Sequence, residues 1–106
     1  MKEQEQNFWQ ELKKRNQPIL ALAPMAGFTD IAFRQICSAY GADAVYSEMA
    51  SATALFYNRE NDDNETLRLL HWDRSKESRY LVQLFGSNPE HFAVAARLVC
   101  EKIKPH

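Results

Sequence analysis

The chain has 106 residues, enough for one small domain, and its 45% hydrophobic and 25% charged content with three glycines and four prolines excludes collagen-like, low-complexity and disordered classes. Thirteen basic against fourteen acidic side chains leave a net charge of −1, so no chain-wide positive field exists to hold a polyanion and any nucleic-acid contact has to be local.

Cys37 and Cys100 stand at no metal or redox spacing, which points to a reducing compartment without a disulfide framework. No apolar run approaches the length of a membrane span. Met1–Gln6 carries acids where a signal peptide would be apolar, so the expected location is cytoplasmic, with no membrane partner.

In residues 1–17, Phe8 and Leu12 recur at helical spacing beside Trp9, predicting a leader helix that lies on a larger body spanning residues 18–106. Ile19-Leu20-Ala21-Leu22-Ala23, closed by Pro24, reads as a strand buried on both faces of a parallel sheet. Thr29 or Asp30 then offers a helix cap. Phe33, Ile36, Cys37 and Tyr40 follow as one apolar face before Gly41.

Ala42–Ser47 reads as a second strand, and Ser51–Asn58 as a short helix with a serine cap. Arg59–Thr66, acidic and without an apolar anchor, reads as a solvated loop, and Leu67, Leu69 and Trp72 as irregular or extended structure beneath it. Tyr80–Phe85 is the third predicted strand, closed by Gly86. Ser87 or Asn88 caps a last helix with Pro89 in its first turn, and Phe92, Ala96, Val99 and Ile103 form its core face until Pro105.

The order is three βα units, which implies parallel strands joined by right-handed crossovers. Two architectures suit it, a doubly wound sheet and a (β/α)8 barrel, and in both a ligand sits beyond the carboxyl ends of the strands. The loops after Ala23, Ser47 and Phe85 are therefore the places to look. Pro24-Met25-Ala26-Gly27 offers a fixed exit, a soft apolar contact and no bulk, so backbone could approach a flat ring; a tight strand-to-helix turn uses the same residues. Gln83 is the one polar member of its strand and needs partners for its carbonyl and amide, from a ligand or from backbone. Glu48 brings a carboxylate to the same end, to act as an acid or base, to orient a substrate or to pair with Arg34. His71, His91 and His106 share no ligand spacing with the cysteines, so no metal is expected.

Ala23-Pro24-Met25-Ala26-Gly27-Phe28-Thr29-Asp30, then Phe33-Arg34, Ser47-Glu48-Met49, and Val82-Gln83-Leu84-Phe85-Gly86-Ser87-Asn88-Pro89-Glu90 with Ala95-Ala96, together resemble the opening of the bacterial tRNA-dihydrouridine synthases. The resemblance runs from about Ile19 to the end of the chain. It implies the first three βα units of an incomplete (β/α)8 TIM barrel, in an oxidoreductase that holds FMN over the strand ends. With hydride from NADPH such an enzyme reduces the 5,6 double bond of particular uridines in tRNA.

Carried over by position, Pro24, Met25 and Ala26 line the FMN ring and Gln83 hydrogen-bonds its polar edge, whereas Glu48 receives no role. The family's catalytic cysteine sits in an Asn-x-Gly-Cys-Pro motif after the fourth strand, and the sequence ends at His106, where that strand would begin. No catalytic residue is therefore assigned here, and most tRNA contacts are expected from parts not present. Two other readings stay open: another FMN barrel, related to dihydroorotate or dihydropyrimidine dehydrogenases, and a non-catalytic α/β binding module.

Overall fold

A computed structural model describes residues 7–106; the sequence reading of residues 1–6 lies outside them. Eight elements follow in order: α1 (Phe8–Lys13), β1 (Ala21–Leu22), α2 (Ile31–Ala39), β2 (Ala44–Ser51), α3 (Ala52–Tyr57), α4 (Glu65–Leu69), β3 (Arg79–Phe85) and α5 (Pro89–Lys102). The three strands form one parallel sheet in the order β1-β2-β3, as the βα alternation requires. The core lies where Val45 and Tyr80 of the sheet meet Leu55, Leu67, Leu70, Ala95, Val99 and Ile103.

Local signals start most helices as predicted. Asp30, rather than Thr29, caps α2 by accepting the Phe33 N–H, and Ser51 caps α3 by accepting that of Ala54. Asn88 caps α5 ahead of Pro89, so Ser87 is not the cap. Within the segment read as a leader, a helix forms over Phe8–Lys13. It buries Leu12, and Phe8 meets the His106 ring edge-on at 6.1 Å. Arg15 follows it and pairs with Asp43 at 2.9 Å, and Asp43 also accepts the Leu20 N–H.

Four expectations need correction. The first strand is two residues long, not five, with Leu20 exposed, because it stands at the sheet edge and only β2 pairs with it. The second strand runs on to Ser51, four residues past its predicted end, because β3 continues to pair with it through a bulge. Residues 65–69 form a helix instead of irregular chain: Asn64 accepts the Leu67 N–H and caps it, which also buries Asn64 inside a loop expected to be solvated.

The fourth correction concerns helix faces. Phe33, Ile36 and Tyr40 are 37%, 56% and 89% exposed, whereas Arg34, one position round the helix, is completely buried. The sheet takes the face of Arg34, whose polar head finds a partner for each nitrogen, and leaves the apolar stripe uncovered. In α5 Val99 is buried as expected, but Ala95 is buried in place of the expected Ala96, which is exposed.

Candidate ligand site at the strand ends

The loop after β1 is stapled by its own side chains and backbone. The Met25 carbonyl accepts the N–H groups of Phe28 and Thr29, both at 3.0 Å, and the Thr29 hydroxyl at 3.2 Å; Met25 N–H donates back to Thr29 Oγ1 at 3.1 Å. Thr29 is fully buried, so its hydroxyl holds these part-buried bonds from the inner side of the loop. Gly27 adopts φ +80°, a left-handed conformation that a side chain resists, which explains the glycine at the apex.

In β2, Tyr46 pairs with Leu81 but Met49 pairs with Gln83, so three steps on one strand match two on the other. The extra residue makes a bulge at Ser47–Glu48. Ser47 Oγ donates to the Glu48 carbonyl at 2.7 Å and accepts the Gln83 N–H at 3.0 Å, replacing a ladder bond that the bulge removes. From the bulge itself, the Glu48 carboxylate accepts the Gly27 N–H and joins the first loop to β2. Glu48 therefore does not pair with Arg34.

Arg34 pairs instead with Glu77. Its Nε donates to Glu77 Oε1 at 2.6 Å, with both side chains fully buried, and its terminal nitrogens donate to the carbonyls of Thr29 and His71 at 2.8 Å each. Glu77 Oε2 accepts the Asp73 N–H at 2.8 Å. The guanidinium lies 4.7 Å from the centre of the Tyr80 ring. Burial pushes the Tyr80 phenol up to about 12, so it remains a donor, to the Leu70 carbonyl at 2.9 Å. Sequence reasoning missed Glu77, since 43 residues separate the partners. It also gave Thr29 and Ser47 no part in the site, although a threonine four residues beyond Met25 in a turn is a signal for side-chain capping of the loop.

The structure thus brings three of the suspected segments to one end of the sheet. Gly27–Glu48 ties the first loop to β2, and the Met49–Gln83 register ties β2 to β3. Met25, Phe28, Met49 and Phe85 leave large apolar surfaces exposed there. Gln83 Oε1 is buried and has no hydrogen-bond partner among the described residues. A buried carbonyl oxygen without a donor costs about 1–3 kcal/mol, so it marks a position where a donor is wanted.

The third loop turns at Gly86, at φ +154°, where a Cβ would meet Phe92 Cε2 at 3.2 Å; the close approach of α5 demands the glycine. Cys37 and Cys100 lie on α2 and α5, away from the strand-end loops. No group of three or more His, Cys, Asp or Glu side chains is arranged to hold a metal ion among the described residues, and none of their helices is long and apolar enough to cross a membrane.

Parallel βα units with an apolar, partly polar surface at the carboxyl ends of the strands define an α/β protein of the class whose ligand sites lie over the strand ends. The sequence family is the dihydrouridine synthases (Dus), which match residues 21–104, and the chain belongs to it. A probable tRNA-dihydrouridine synthase of Aquifex aeolicus is 36% identical over 84 residues, covering 79% of this chain and 25% of the relative. The tRNA-dihydrouridine synthase B of Pasteurella multocida is 38% identical over 91 residues, covering 86% and 25%, and that of Escherichia coli K12 is 39% identical over 82 residues, covering 77% and 24%. The chain spans about a quarter of the length of the curated relatives it matches.

Proposed function

We propose that the chain is the flavin-facing, amino-terminal part of a (β/α)8 barrel of a tRNA-dihydrouridine synthase, with residues 18–106 forming its first three βα units and residues 1–17 a leader outside that core. In that reading the complete enzyme holds FMN over the strand ends, takes hydride from NADPH and reduces the 5,6 double bond of particular uridines in tRNA, in the cytoplasm.

The observation that carries the reading is the partnerless Gln83 Oε1. It faces a want of one donor in the strand that neighbours Met49, and the imide N–H at the polar edge of a flavin ring supplies one. Pro24, Met25 and Ala26 offer the flat, unbranched wall that a ring system needs, on a loop already rigid before any ligand arrives. Bound there, the flavin would supply hydride transfer, while these residues bind, orient and keep water from the ring. The parallel order β1-β2-β3, with the outer edge of β3 unpaired by any strand, leaves room for the next strand of a barrel there.

The test is Gln83→Ala in the chain joined in frame to the remaining three quarters of a relative. Loss of the acceptor is expected to weaken flavin retention by about 1–3 kcal/mol. Flavin content, read from visible absorbance of the purified protein, decides it: retention equal to the parent refutes the role of Gln83.

A further inference from the structure

We propose that Glu48 is a positioning residue that sets the height of the first loop above the sheet, and hence the distance at which Met25 and Ala26 meet a planar ligand; its link to a flavin rests on the function proposed above. Four observations converge. The loop is internally stapled at Met25 and Thr29 but not at its apex, where Gly27 in a left-handed conformation leaves its N–H pointing out of the turn. The bulge at Ser47–Glu48 shifts the register of β2 by one residue between Tyr46 and Met49, and the Ser47 hydroxyl accepts the Gln83 N–H there. That shift is what turns the carboxylate of Glu48 to the loop. The Glu48 bond to Gly27 then bridges the two strand-end segments.

Glu48 acts on the loop through the backbone and not on the ligand, so an uncharged acceptor of the same length must do nearly as well. The experiment uses the 106-residue chain, labelled with 15N, as the parent and as Glu48→Gln and Glu48→Ala. Hydrogen exchange at the Gly27 amide is expected to accelerate about tenfold or more in Glu48→Ala and only slightly in Glu48→Gln, with exchange at Val45 and Tyr80 in the core unchanged in both. Titration with free FMN, followed by the amide shifts of residues 25–28, is expected to show weaker binding for Glu48→Ala than for the parent and near-parent binding for Glu48→Gln.

Unchanged Gly27 exchange in Glu48→Ala overturns the proposal, as does Glu48→Gln binding FMN as poorly as Glu48→Ala while it keeps Gly27 protected, since the charge would then act on the ligand directly. Core exchange that rises with that of Gly27 also overturns it, because Glu48 would then support the fold at large. If FMN shifts no loop amide even in the parent, the flavin reading fails, whereas the exchange result at Gly27 still decides whether Glu48 holds the loop.

Discussion

Removing Glu77 should be the most damaging single change in this chain. Glu77→Ala leaves the Arg34 guanidinium fully buried with its charge uncompensated and its Nε–H unpaired, and it strips the Asp73 N–H of its acceptor. Breaking a buried ion pair by deleting one partner costs about 3–5 kcal/mol. A domain has about 5–15 kcal/mol in all, and a three-stranded sheet with two free edges and an exposed apolar helix stripe lies near the lower end. The variant is therefore expected to lose most of its stability. Glu77→Gln, which keeps an acceptor but not the charge, should lose about 1–3 kcal/mol.

Urea titration at low micromolar protein, followed by far-UV circular dichroism and by the fluorescence of Trp72, whose ring lies 5.0 Å from that of Tyr80, measures both. The double variant Arg34→Met with Glu77→Leu separates the pair from the site: removing both polar groups should recover a large part of the loss, giving a strong coupling in the double-mutant cycle. A Glu77→Ala cost below about 1 kcal/mol, or single losses that simply add, would refute the account of Arg34 as a buried charge held by Glu77.

Three more outcomes are expected. Ala26→Leu, in the chain joined to the rest of a relative, should exclude FMN in a titration while thermal unfolding changes little, because Ala26 is exposed and its bulk would fill only the ligand's space. His106 is held below the ordinary imidazole value by burial and then by Arg74 and Arg79, so its neutral form is favoured in the fold. The stability this gives is complete above about pH 6.5 and is lost as pH falls below it, and the slope of the urea midpoint between about pH 5 and pH 7 should flatten in His106→Asn. Asp43, lowered chiefly by its bond to Arg15, acts only in the more acid range below the ordinary carboxylate value. Finally, the chain alone should neither hold FMN tightly nor form dihydrouridine in unmodified tRNA supplied with FMN and NADPH: β1 and β3 keep open edges, and neither cysteine stands at a strand end to donate a proton. Product above the enzyme-free control, by mass spectrometry, would contradict this.

What the sequence determined by itself is local in its physics. A capping side chain reaches an amide two or three residues away, so Asp30, Ser51 and Asn88 could be read as helix starts, or as one of two candidates, without any tertiary knowledge. Alternating strands and helices without hairpin turns require a parallel sheet, and the ordered motifs from Pro24 to Pro89 placed the chain in its family. Gln83 stood out because a lone polar residue in an apolar strand must be satisfied somewhere.

Tertiary structure decided what depends on partners far apart in the chain. Periodicity names the apolar stripe of α2, yet the sheet buries Arg34, because Glu77, Thr29 and His71 converge on it from segments up to 43 residues away. Glu48 looked equally suited to Arg34 and to a substrate; a one-residue bulge, which leaves no mark in the hydrophobic pattern, turned it to Gly27 instead. Side-chain direction in a strand alternates with period two, so a single added residue reverses what every later position faces, and only the pairing with β3 reveals where that residue was added.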